Sequence, residues 1–511
     1  MLALRIATMR PLRADAAAHP GLALALGTMM AAAAAAIAWA VAAWTEARHV
    51  ASACSLAAMI AAWWRARPGH GASRGWPPGS LGLRASLAAI DDRSYYRDQA
   101  ERHGPVFKMS QFGRPVACVV GHERGRRLFA EHAGALAPAK LPYNRLLAKG
   151  LLRYMGRDDH RQEAPLFRAI LANVDLEAAE SSVRAGLRAQ LDRLCADSQA
   201  IPAGVSPRDY GFRWLAGAVA RLFLGVGHDD PRVERIAALL PLLHLHRAGG
   251  TAWRRRILDA MAGMTAILRE VADDYAAGSP RVAPGSVIAL LLAAEPDALD
   301  RPARAENMVL IERLATGDLA GLLDWIVLFL GDSPRWRDEV RRHGRTHGGA
   351  QSSLPLDPAT CVAMETLRLE QSEFVYRRVV APIAFEGHTI PAGWLLRLCV
   401  NESHRDASVH PDPHVFDPAR FRDRAWSRNE YSPFGGHAHG CMGGHVALFL
   451  ARVFVEELAI GYEWTVTADG PHERWSRHRD HWRPNPRRRI AMRARAGAHE
   501  DDGVEALAPA S

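Results

Sequence analysis

Cysteine is scarce in this chain. Its 511 residues include six, Cys54, Cys118, Cys195, Cys361, Cys399 and Cys441. Their scattered spacing excludes a disulfide framework and fits a reducing compartment. Aromatic residues are few and no basic run is interleaved with them, so no nucleic-acid motif is present. Lys and Arg exceed Asp and Glu by 64 to 55, a net charge of +9. The charges read as mixed-sign solvated faces, and a basic surface also suits an acidic protein partner. There is no internal repeat. What the chain does have is apolar mass: at 49% hydrophobic residues it can bury a large core. Abundant Ala and Arg point to a GC-rich bacterial genome.

The N-terminal region stands apart. Pro20 to Trp44 is almost wholly apolar and long enough to cross a bilayer. A second, shorter apolar run covers Val50 to Trp64. Arg5, Arg10 and Arg13 precede the first run, and Arg65 and Arg67 follow the second, which suits a two-pass hairpin with both ends cytoplasmic. A single span and an interfacial helix are the alternatives. Residues 1–67 are therefore expected to anchor the chain, 68–80 to form a Pro/Gly-rich linker, 81–495 to form one catalytic domain and 496–511 a disordered tail.

Downstream the pattern is mainly helical with a small β region. Leu87–His103 reads as a helix with Ser86 as N-cap. Val106–Val120 reads as a strand pair around Gly113, and Ser181–Cys195, Gly211–Gly225 and Trp253–Ala277 as amphipathic helices.

The chemistry concentrates in Phe434-Gly435-Gly436-His437-Ala438-His439-Gly440-Cys441-Met442-Gly443. A cysteine between glycines precedes an apolar helical run through Val446, Phe449, Leu450, Val453 and Leu458. Glycines let a backbone pass close to a flat cofactor. A helix start favours the thiolate. That equipment suits an axial thiolate on haem iron. Two other readings stand beside it: a loop cysteine before an ordinary helix, and a metal site drawn from His437, His439, Cys441 and His445.

Upstream, Glu365-Thr366-Leu367-Arg368 puts a carboxylate and a guanidinium on one helix face. Arg378, a strand–turn–strand around Gly387, the Pro391-Ala392-Gly393 turn and Phe416-Asp417-Pro418-Ala419-Arg420-Phe421 follow in order. Together these pieces resemble the cytochrome P450 family over roughly residues 80–495. The haem loop departs from the family pattern at His437, where a glycine is usual. The resemblance implies the P450 fold, haem b as cofactor and Cys441 as its iron ligand. Phe434 and Gly443 would complete the loop, and His439, Arg378 and His160 would contact the propionates. Glu365, Arg368 and Arg420 would hold the proximal structure. Four residues after His160 the usual basic residue is Ala164.

One part of the resemblance fails. The family's long distal helix carries an acid followed by Thr, which relay protons to bound dioxygen. Counting back from Ser333-Pro334 without a gap puts Gly317 and Asp318 at those places; a one-residue shift puts Asp318 and Leu319 there. Neither supplies the alcohol, which leaves Asp318 as the candidate proton donor. After Arg368, where prolines are usual, stands Glu370-Gln371-Ser372-Glu373, two carboxylates that could meet a polar or cationic substrate or serve as caps. The expected activity is monooxygenation of a small organic substrate, with electrons from a separate ferredoxin or flavoprotein reductase. A haem-thiolate isomerase, dehydratase or peroxide-using enzyme is the alternative, and a haem-binding sensor or inactive scaffold the non-enzymatic one. The expected location is the membrane, with the catalytic domain on the cytoplasmic side.

Overall fold

The computed structural model describes residues 31–36, 75–111, 114–139, 151–243, 251–344, 355–370, 374–435, 440–468, 475–478, 481–485 and 487–496. Residues 31–36 are helical. The rest of the expected anchor, most of the linker and residues 497–511 lie outside the described residues. Among the described residues one helix is long and apolar enough to cross a membrane, Pro302–Gly331, and most of its apolar stretch is buried inside the protein.

The chain divides into two compact units. The first comprises residues 1–160, 244–258 and 374–406. It carries a six-stranded sheet built from β1 (Gly79–Ser80), β2 (Val106–Gln111), β3 (Arg114–Val120), β4 (Leu136–Pro138), β5 (Phe374–Val379) and β8 (Leu395–Cys399), in the order β1-β2-β3-β8-β5-β4. The expected strand pair is β2 and β3, joined antiparallel with Val106 opposite Val119. Both faces of the sheet are buried. Ala117, Val119, Leu396 and Leu398 pack with Phe129 and Trp394 on one side. Phe107, Met109, Cys118 and Cys399 pack with Tyr95 and Tyr96 on the other. Two-sided burial explains why these strands read as continuous apolar runs rather than alternating ones. Between β5 and β8 lies the hairpin of β6 (Ile383–Phe385) and β7 (His388–Ile390). Its turn places Glu386 at φ 46° and Gly387 at φ 77°, the left-handed pair that a tight hairpin requires.

The helix expected over Leu87–His103 is two helices, Leu83–Asp91 and Tyr95–His103. The break has a local cause. Asp92 Oδ1 accepts from the backbone N–H and the hydroxyl of Ser94, both at 2.8 Å, and such a turn competes with helix continuation. The N-cap position belongs to Gly82 rather than Ser86.

The second unit comprises residues 161–243, 259–373 and 407–511. Leu176–Ala200 buries Ala179, Val183, Leu187, Leu191 and Leu194, a three-and-four spacing that makes one apolar stripe. Its start is capped by Asp175, which accepts from the Ala178 N–H. Arg208–Leu224, Pro302–Gly331, Pro358–Leu369 and Gly444–Gly461 complete the helical core. Two antiparallel ribbons adjoin it: β9 (Tyr462–Ala468) with β12 (Arg488–Ala494), and β10 (Trp475–His478) with β11 (His481–Pro484).

Candidate haem-thiolate site

The helix Pro358–Leu369 starts with Asp357 as N-cap, accepting from Thr360 N at 2.8 Å, and with Pro358 at its first position. Its last two turns bring Glu365 and Arg368 to one face, both 0% exposed. The guanidinium grips the carboxylate with both arms, at 2.7 and 2.8 Å. Arg420 donates to Glu365 Oε1 at 3.1 Å, and the Asp417 N–H donates to the same oxygen at 2.9 Å. Arg368 also donates to the carbonyls of Pro413 and Val415 at 2.8 and 3.2 Å. A buried pair of charges holds only when its remaining donors and acceptors are satisfied, and here the Pro413–Arg420 segment satisfies them. The three residues expected to act together are thus brought together. Glu370, one residue beyond this helix, is buried, and residues 371–373 lie outside the described residues.

The cysteine loop is closed by its own backbone. Cys441 N donates to Phe434 O at 2.8 Å, and Gly435 takes φ 70° at the turn. The helix Gly444–Gly461 begins three residues after Cys441, which puts the sulfur near the positive end of the helix dipole. A Cβ on Gly444 would stand 3.2 Å from the Phe434 ring, so the ring packs against a bare backbone there. Cys441 is exposed and outside any disulfide. Cys118, Cys195, Cys361 and Cys399 are buried, and burial pushes the Cys361 thiol up to about 12, away from the thiolate form. An exposed sulfur at a helix start, on a tight loop with little side-chain bulk, fits a haem ligand. Gly443 is the N-cap of that helix. His437 and His439, and with them the metal-site alternative, lie outside the described residues. The His445 ring nitrogen lies 2.9 Å from the Leu171 carbonyl.

The long helix Pro302–Gly331 has one open side. Ile311, Arg313, Leu314, Ala315, Gly317 and Asp318 are partly or fully exposed, whereas Glu312, Thr316, Leu319 and Leu323 are buried. The open positions recur at three-and-four spacing, so they form one face, and Asp318 lies on it. Arg483 Nη2 donates to the Gly317 carbonyl at 3.0 Å. Glu312 lies on the closed side. It is 1% exposed, and among the described residues neither carboxylate oxygen has a hydrogen-bond partner. Burial alone pushes its carboxyl up to about 8. Sequence reading missed this residue because a Glu in a helix looks like an ordinary solvated charge.

In the first unit, His160 is half-buried in the helix Arg157–Ala172. Arg378 is exposed on β5, and its neighbour Arg377 is the more enclosed of the two. Arg377 donates to the Tyr376 carbonyl at 2.8 Å and lies over the Phe129 ring, 5.4 Å from its centroid. Burial, aided by Arg153, lowers it to about 10. A desolvated guanidinium with no ion pair among the described residues suits an anionic ligand. Strand alternation was the available signal: Arg377 shares its face with the buried Val379, and Arg378 does not.

A sequence model of the cytochrome P450 family matches residues 323–486, the stretch that holds the Glu365 triad and Cys441. Over that stretch the chain matches the cytochrome P450 family. The chain is 25% identical over 442 residues to abscisic acid 8'-hydroxylase 2 of Oryza sativa subsp. indica, covering 78% of this chain and 84% of the relative. Among solved structures it resembles the retinoic acid bound cyanobacterial CYP120A1, with a TM-score of 0.67 at 21% identity over 82% of this chain and 99% of that one. It also resembles cytochrome P450 OleT in complex with arachidonic acid, with a TM-score of 0.63 at 19% identity over 81% and 97%. The fold is that of the P450s, the cofactor is haem b, and the protein is an oxidoreductase of the monooxygenase kind.

Proposed function

We propose that this P450 inserts one oxygen atom from O2 into an apolar organic acid, with two electrons from a separate ferredoxin or flavoprotein reductase and two protons that leave the second oxygen as water. The single observation that carries the haem assignment is the cysteine loop: an exposed Cys441 at a helix start, closed by the Cys441 N–H to Phe434 carbonyl bond. Bound haem supplies the oxidising chemistry. Cys441 holds the iron, and the Phe434 ring beside the loop limits water access to the sulfur. By the family resemblance Arg378, His160 and His439 would bind the propionates through charge-assisted hydrogen bonds. Asp318, on the open side of the long helix, delivers the protons. The acid class is supported by the names of the relative and the neighbours, which refer to abscisic, retinoic and arachidonic acids. The apolar run Pro20–Trp44 anchors the chain in a membrane, with the catalytic part on the cytoplasmic side.

The test is spectroscopic. Reduced protein with carbon monoxide is expected to give the red-shifted Soret band of thiolate ligation. Cys441→Ala is expected to lose it, while Cys361→Ala and Cys399→Ala keep it. A normal band in Cys441→Ala sinks the assignment. The missing alcohol beside Asp318 favours a second reading, isomerisation or dehydration of a pre-oxidised substrate. Product formed without any reductant selects that reading over monooxygenation.

A further inference from the structure

Three helices of the second unit, Leu176–Ala200, Arg208–Leu224 and Pro231–Leu239, leave a groove between them of about 320 Å³, a size that holds a small molecule. Its lining is drawn from residues 182–237, so it is separate from the Cys441 loop. The first helix presents Val183, Gly186, Gln190 and Arg193 to it. Their three-and-four spacing puts them on one face, which runs for about 15 Å. The floor is small and apolar. A Cβ at Gly186 would stand 3.5 Å from His228, and one at Gly217 3.7 Å from Val233. Any side chain larger than Ala at either place would therefore run into the far wall and fill the groove. Trp214 closes the bottom, fixed by its indole N–H donating to the Val183 carbonyl at 3.1 Å.

The groove carries two opposite charges that do not meet. Arg221 sits in the last turn of the second helix and Asp229 in the loop that follows, and both line the groove. Arg221 Nη1 donates to the Gly225 carbonyl at 2.9 Å, which fixes the guanidinium beside that loop. Its Nε is buried and has no hydrogen-bond partner among the described residues, a state that calls for an occupant. Asp229 bends back over Gly227, with its Oδ1 2.6 Å from where a Cβ at 227 would stand. Among the described residues neither Arg221 nor Asp229 forms an ion pair, although the same groove pairs Arg213 with Glu234 at 3.6 Å. A half-buried cation and an exposed anion thus stand on one groove, each open to a ligand.

We propose that the groove binds a zwitterionic α-amino acid with a large apolar side chain. Its carboxylate seats on Arg221, its ammonium meets Asp229, and its side chain lies on the floor formed by Gly186, Trp214 and Gly217. A guanidinium fork matches a carboxylate in shape as well as in charge, and a carboxylate takes an ammonium in a charge-assisted hydrogen bond. A ligand that carries both charges a few atoms apart satisfies both residues at once, which neither a simple acid nor a simple amine can do. The site is independent of the reaction proposed above.

The experiment uses the full-length, haem-loaded protein and three probes of one shape. These are L-phenylalanine, 3-phenylpropionate, which lacks the ammonium, and 2-phenylethylamine, which lacks the carboxylate. Titration calorimetry reads the affinity and the Soret band reads the haem. The wild type is expected to bind phenylalanine about 10- to 100-fold more tightly than either of the others, the range for a hydrogen bond to a charged group, with the Soret band unmoved. Arg221→Gln is expected to bring phenylalanine down to the level of phenylethylamine, and Asp229→Asn to the level of phenylpropionate. No preference for phenylalanine in the wild type overturns the site, as does a preference that survives unchanged in either variant. If Arg221→Gln fails to fold, Asp229→Asn decides, because Asp229 is exposed: an unchanged ratio of phenylalanine to phenylpropionate affinity overturns the site. A Soret shift that follows phenylalanine binding in the wild type and the variants alike places the ligand at the haem and overturns the groove as its seat.

Discussion

Glu365 and Glu312 are both buried in the helical unit, and they meet burial in opposite ways. The Glu365 carboxylate takes two arms of Arg368, one of Arg420 and the Asp417 N–H. Among the described residues neither carboxylate oxygen of Glu312 has a hydrogen-bond partner. The first is held as a charge by its two arginines. The second is held as a neutral acid, because burial alone raises its carboxyl to about 8. A buried acid with partners ties distant segments together, and one without them makes stability depend on pH.

The comparison breaks most visibly at Arg368. Arg368→Ala leaves Glu365 buried with Arg420 as its one ionic partner, and the expected loss is on the order of 3–5 kcal/mol, a large part of a domain's stability. Urea denaturation followed by circular dichroism measures it. A loss below about 1 kcal/mol would show that the Glu365 cluster is not what holds this region.

The next largest effect belongs to the open side of the long helix. Asp318→Asn is expected to leave haem loading and substrate binding intact and to slow turnover by roughly two to four orders of magnitude. Steady-state rates with a surrogate reductase check it. Turnover at the wild-type rate would leave Asp318 a bystander and move the proton route to the substrate or to water.

The smallest effect is at Glu312, the acid on the closed side of the same helix. Its carboxyl is raised to about 8 against an ordinary 4.5, so the folded protein keeps a proton that the unfolded chain releases. Stability therefore falls as pH rises from about 4.5 to about 8 and levels off above that. Glu312→Gln is expected to flatten that slope and to raise stability at pH 8 by about 1–3 kcal/mol, the usual cost of an unsatisfied buried group. Melting temperatures across the pH range read it. The same slope in the variant would assign the pH dependence to another group.

Much of the site could be read from local sequence. The Cys441 loop and the Glu365–Arg368 spacing are short patterns whose chemistry demands particular residue types a few positions apart. The two-helix break at Asp92 was missed because an Asp–Ser turn competes with a helix only where the side chain finds the nearby N–H. The choice between Arg377 and Arg378 turned on which face of β5 is covered, and two adjacent arginines look alike until the neighbouring strand and the Phe129 ring are in place.

By itself, the sequence determined the family resemblance, the Cys441 loop, the paired Glu365 and Arg368, and the altered long helix, because each of these is written in residues close along the chain. Only the tertiary structure decided that Arg420 meets Glu365 across 55 positions and that Arg483 reaches Gly317 across 166. It alone showed that Glu312 is buried with no hydrogen-bond partner among the described residues. Burial and partnership depend on which distant segments pack together, and no local spacing records that.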